Sequence, residues 1–146
     1  MPSSTFRADA VAGLLTVLNA YRTTNPTLLR GVYSARPDGT AFEKPCAYVG
    51  TRNETVGHDS GIRTRTLSGL TVVVLDTFAV NAQTLDRMDV LVDGILDAFT
   101  AAPHALGGNT VTSVTSITDT EVQMGEAIYR AAIFTFGTSV AQEGRL

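Results

Sequence analysis

The chain of 146 residues is 44% hydrophobic and only 17% charged, with a net charge of −3. One domain of this length buries roughly 70% of its unfolded surface, and a charge content below the ~25% of ordinary soluble domains leaves threonine to clothe much of the exterior. The acidic balance argues against a dedicated, sequence-specific nucleic-acid binder. The single cysteine excludes an intrachain disulfide, and the longest strongly apolar run, Leu70 to Leu75, falls far short of the ~20 residues that cross a membrane.

Threonine favours strands, because its β-branched side chain is stiff and fits a pleated surface. A surface so short of charge is weakly defended against self-association, which points to an oligomer. The opening MPSSTFRADA lacks the apolar centre of a signal peptide, so the chain is expected in the cytosol where it is made.

In chain order, Ser3, Ser4 or Thr5 can cap a first helix. Its apolar positions Val11, Leu14, Leu15, Leu18 and Tyr21 recur at three- and four-residue steps and share one face. Asn25-Pro26 ends it, since proline disfavours helix in the residue before it. LLRGVY, Leu28 to Tyr33, reads as a short strand and Arg36-Pro37-Asp38-Gly39 as a turn. Pro45 opens a second strand, CAYVGT. From Thr51 to Thr66 a polar insert follows, TRNETVGHDSGIRTRT, with Val56 and Ile62 its few apolar anchors. It reads as a long loop between two central strands, mobile alone and ordered on docking, because it buries too little to offset its ordering entropy.

TLSGLTVVVLDTFA then reads as one long strand. Leu70, Val72, Val74 and Phe78 point one way, with Asp76 the exception, and Val73, Leu75 and Ala79 point the other. Apolar character on both faces predicts a central strand covered on both sides, or on one side by a neighbouring subunit. Asn81 can cap a second helix over about Ala82 to Ala101, with a buried stripe of Leu85, Met88, Leu91, Val92, Ile95, Leu96 and Phe99. Pro103 and Gly107-Gly108 close it. The last third reads as two antiparallel strands. TVTSVTSITDTEVQ alternates Val111, Val114 and Ile117 with one slip of register, Gln123 to Glu126 form a turn, and IYRAAIFTFGTSV follows. The sum is one α+β domain over residues 1–146: two amphipathic helices on a mostly antiparallel sheet.

Chemistry finds little foothold. His58-Asp59-Ser60 is consecutive, whereas a Ser-His-Asp relay needs its members to converge from distant parts of the chain, and no G-x-S-x-G elbow is present. His58, Asp59 and His104 lack metal-ligand spacing, and Gly107-Gly108 and Gly137 do not follow a strand and open a helix as a phosphate loop must. Cys46 reads as a small packed hydrophobe. No catalytic, metal or cofactor site is expected, and a small hydrolase or ligand-binding domain using His58, Asp59 or His104 is the rival reading.

The second helix is more informative. Asp86, Asp89, Asp93 and Asp97 recur at three- and four-residue steps, a like-charged stripe that disfavours an isolated helix, and Asp97 also opposes the helix dipole. This is either a solvated face or one compensated by a basic partner, for which Arg52, Arg63, Arg65 and Arg30 are candidates. A segment of one copy reaching the helix of the next makes a head-to-tail contact, and such contacts close rings.

In the order of AVAGLLTVLNAY, CAYVGT, LTVVVLDTFA, NAQTLDRMDVLVDGILDAF and YRAAIFTFGTSV, the chain resembles the tail terminator (tail completion) proteins of long-tailed bacteriophages along nearly its whole length. The resemblance implies a homohexameric ring at the head-proximal end of the virion tail, assembled in the bacterial host cytoplasm. Such a ring caps the tail tube protein, ends its polymerisation and offers a surface to the head-tail connector or head-completion protein. It also implies no enzymatic activity and no cofactor. By position, the contact role of the family's projecting loops falls on Arg52, His58, Asp59, Arg63 and Arg65. Head-completion, connector and tube subunits share similar folds and stay open as alternatives.

Overall fold

The computed structural model describes residues 6–37, 42–77, 82–103, 113–137 and 140–145. The expected caps at Ser3, Ser4, Thr5 and Asn81, the turn residues Asp38 and Gly39, and Phe78, Ala79, His104, Gly107, Gly108 and Val111 lie outside the described residues, as does the Leu85 side chain.

Helix α1 spans Phe6–Thr24 and helix α2 Ala82–Thr100. Ala10, Leu14, Val17 and Leu18 of α1 are buried, with Val11, Leu15 and Tyr21 at the margin of the same face. The Asn25 N–H still reaches the Tyr21 carbonyl (2.8 Å), and Pro26 then stops the helix. In α2 the buried stripe is Met88, Leu91, Ile95 and Phe99, flanked by Val92 and Leu96.

Eight strands are present where the sequence predicts five. β1 (Gly31–Tyr33), β2 (Cys46–Val49), β5 (Thr71–Thr77), β6 (Val114–Met124) and β7 (Ala127–Phe136) form a sheet ordered β1-β2-β5-β7-β6, in which only β1 and β2 run parallel. The slip of register in the threonine-rich strand is a bulge between Val114 and Ser116. β5 is the central strand. Its Val72 and Val74 meet both helices, while Val73 and Leu75 face Cys46, Tyr48, Tyr129 and Ala131 on the other side. That second face is partly roofed from within the chain: the Phe42 ring lies 5.4 Å from the Tyr129 ring, with Lys44 Nζ 4.9 Å above Phe42.

The polar insert is a correction. Thr51 to Thr66 is not a loop: β3 (Asn53–Asp59) and β4 (Ile62–Ser68) pair antiparallel in full register from Asn53↔Ser68 to Asp59↔Ile62. A two-residue turn joins them, Ser60 (φ 49°) and Gly61 (φ 82°), the doubly left-handed geometry that matches strand twist. β8 (Val140–Arg145), which begins where the predicted closing strand ends, pairs with β4 and completes a second sheet, β3-β4-β8. Three hydrogen-bonded strands supply the order that apolar burial does not. The predicted long strand from Thr66 is likewise two, β4 and β5, broken at Gly69 (φ 61°) and Leu70.

Candidate functional site

Alternation along β3 and β4, which together form the arm of the molecule, sorts their side chains onto two faces. Glu54, Val56 and His58 share one with Arg63, Arg65 and Leu67; Thr55, Gly57 and Asp59 share the other with Ile62, Thr64 and Thr66. Leu67 is fully buried and roots the arm in the main core. Next to it, Arg65 grips Glu54 in a fork, Nε to Oε2 and Nη2 to Oε1, both 2.9 Å, and Arg7 of α1 approaches the same carboxylate at 3.5 Å. The Arg65 hydrogen bonds hold the Glu54 carboxyl below its usual range and, reciprocally, raise the Arg65 guanidinium. Beyond this root the arm is exposed, and Val56 and Ile62 stand nearly half open to solvent on opposite faces.

His58 and Asp59 are neighbours on one strand, so their side chains leave it on opposite faces. His58 stands across from Arg63, and Ser60 Oγ donates to Asp59 Oδ1 at 3.2 Å. The run does not converge on a reaction centre. Of the arm residues singled out in the sequence, His58, Arg63 and Arg65 come together on one face. Asp59 is on the other, and Arg52 lies before β3, half-buried at the arm's base. Asp86, Asp89, Asp93 and Asp97 are all exposed along α2. The arginines and the aspartate stripe are not brought together within the chain. Among the described residues, no group of three or more His, Cys, Asp or Glu is placed to hold a metal ion, and no helix is long and apolar enough to cross a membrane. Cys46 is buried between strands, and desolvation pushes its thiol up to about 12, so it packs as the small hydrophobe expected of it.

Two arrangements escaped the sequence reading. Asp76, fully buried beside Val72 and Val74, accepts a fork from Arg87 of α2: Nε to Oδ2 at 2.8 Å and Nη2 to Oδ1 at 2.7 Å. The lone acid in an apolar strand was its signal, since a buried carboxylate demands a partner. The Glu54–Arg65 fork was hidden because its register is visible only once the Ser60-Gly61 turn is recognised.

No protein-family model matches the sequence, and comparison with curated proteins finds no match. Among solved structures, a chain of the "Virion of native gene transfer agent (GTA) particle" is similar over 97% of this chain and 100% of its own, with a TM-score of 0.60 at 15% identity. Likeness at that identity concerns the fold.

Proposed function

We propose that the protein is a structural subunit of a virion that acts by binding and not by catalysis. In this reading it forms a hexameric ring at the head-proximal end of a tail, ends tube polymerisation there and offers the surface to which the head joins. The observation that carries it is end-to-end likeness of fold to a chain whose structure belongs to a virion particle. The likeness covers 97% of this chain and the whole of the other. Two features support it. The surface is poor in charge, which favours self-association. The arm exposes its outer residues well beyond the single buried anchor at Leu67, as a contact element does.

Sedimentation of the purified chain, alone and with tail tube protein, tests the reading. A ring gives a species of six times the 15.4 kDa subunit mass, or a single capping layer on tube ends visible by electron microscopy. Long cylinders of the chain alone point instead to a tube subunit. A monomer that stays inert towards tube ends overturns the proposal.

A further inference from the structure

A basic groove and an acidic helix face lie on different elements of this chain. At the β1 edge, α1 packs over β1 and β2. Between α1 and the segments that follow those strands lies an open groove of about 820 Å³, with an apolar floor that includes Val11, Leu15 and Val49 and with Arg7 and Arg52 lining it. The Arg52 Nε is buried and has no hydrogen-bond partner. Buried N–H groups of this kind are rare in native proteins, so an orphan that lines a groove points to an acceptor arriving from outside. Glu54 does not fill that role: it accepts from Arg65, and Arg52 Nε has no bond to it.

The outer face of α2 is acidic, running from Asp97 beside the α1–α2 cleft to Asp89 beside β6. Gly94 of α2 is pressed against the Tyr21 ring of α1, which fixes the side of α2 that faces its neighbour helix. Asp89 turns the other way and shares a cleft with Asp119, Glu121 and Arg130 of β6 and β7. Asp86, Asp89, Asp93 and Asp97 are exposed and, among the described residues, have no ion-pair partner. Val90, 54% exposed, sits among them. This face therefore presents carboxylates around one apolar side chain, and the groove presents guanidinium groups around an apolar floor.

We propose that the α2 face centred on Val90 and Asp93 of one copy docks into the Arg7–Arg52 groove of the next, a carboxylate accepting from Arg52 Nε and Val90 seating on the floor. A second copy is the occupant because this chain itself carries both complementary surfaces, the groove beside α1 and the outer face of α2. Different surfaces on the two partners make the contact head-to-tail, and repetition about an axis closes a ring. The inference rests on the ring reading and deepens it: Arg52 becomes the residue that meets the aspartate stripe, while Arg65 stays bound within its own arm.

Two independent experiments test it, under whichever of the conditions above the wild type assembles. The first joins the surfaces covalently. Ala8, exposed at the groove, and Val90 are changed together to cysteine; native Cys46 is buried and stays silent. Oxidation is expected to yield a ladder of cross-linked species up to ring size on a non-reducing gel, with no ladder from Ala8→Cys or Val90→Cys alone. The second swaps charge. Arg52→Glu and Asp93→Arg should each weaken subunit association about tenfold or more, and the pair together should restore much of it. Circular dichroism monitors folding, and Asp93→Arg, on an exposed helix face, keeps the test valid if Arg52→Glu folds poorly. A ring that assembles without a ladder and is indifferent to Asp93→Arg overturns the docking and leaves the ring standing. A wild type that assembles under no condition removes both.

Discussion

Replacing Arg87 by methionine should be the most destabilising single change outside the apolar core. The substitution keeps the aliphatic stem that packs along α2 and deletes the guanidinium that forks onto Asp76 at 2.7 and 2.8 Å. Asp76 has no solvent exposure, so its charge is left without water or a counter-ion. Removing one partner of a buried pair costs about 3–5 kcal/mol. The Thr77 N–H still donates to Asp76 at 2.7 Å, and Arg130 stands opposite Asp76 across the β5–β7 ladder. These residual partners place the loss nearer ~2–3 kcal/mol, which lowers the melting temperature of a domain this size by about 5–10 °C. The reverse deletion is milder. In Asp76→Val the Arg87 side chain, already 40% exposed, reaches water instead, and the main loss is the hydrogen bond to Thr77, about 1 kcal/mol. The double variant removes both charges together and should recover most of the Arg87→Met deficit. Urea denaturation of the four proteins completes the cycle. An Arg87→Met midpoint within about 2 °C of wild type in the thermal melt, or a double variant worse than both singles, would refute the reasoning that a stranded buried carboxylate sets the cost.

Leu67→Ala removes the arm's only fully buried side chain among the described residues and should cost about 2–5 kcal/mol; amide exchange should accelerate in β3 and β4 before β5, and a uniform loss would deny Leu67 its anchoring role. Gly61→Val forces a β-branched residue to φ 82°, a strain of about 1–2 kcal/mol that should fray the arm near its tip while the β5–β7 ladder keeps its protection. Cys46 governs the alkaline side. Its thiol is raised from 9.0 to about 12 in the folded chain, so the unfolded chain loses its proton first and folding stability falls as pH climbs from about 9 towards 12. Wild type should therefore lose stability faster than Cys46→Ala across that window, by up to ~1.4 kcal/mol per pH unit; parallel denaturation curves would contradict the burial argument.

Much of the main sheet could be read because its strands bury apolar side chains with a clear period. Val72 and Val74 against Val73 and Leu75 announced a strand covered on both faces, and Val114, Ile117 and the slip between them announced β6 with its bulge. The arm could not be read that way. Both faces of β3 and β4 are polar, so the period-two signal is absent, and the strands are defined by backbone pairing and by a Ser60-Gly61 turn. β8 was lost for a related reason: its partner is β4, more than seventy residues earlier, and nothing local in VAQEGR marks that pairing. Of the candidate residues, the four aspartates were placed by their spacing on one stripe of α2, and all four are exposed there. The sequence grouped Arg52 with Arg63 and Arg65, whereas the structure separates them, because distance along a polar segment says nothing about which groove a guanidinium lines.

That the arm is already folded changes the thermodynamics of any assembly it joins. A segment that orders only on docking loses about 1–2 kcal/mol of backbone entropy per residue at that moment, and the contact must overcome it. In this structure β3 and β4 are paired along their whole length, and the Glu54–Arg65 fork and Leu67 fix their root within a single chain. The ordering term thus belongs to folding, and a partner surface meets a rigid three-stranded edge. Association should then be governed by surface complementarity and show only the modest heat-capacity change of surface burial, without the large one of coupled folding. Amide exchange on dilute, monomeric protein decides the matter. Protection across β3 and β4 before assembly, little altered afterwards, is the expected pattern. Amides that exchange freely until a partner is added would show that docking completes the arm, and the affinity of the contact would then have to be reckoned against its folding.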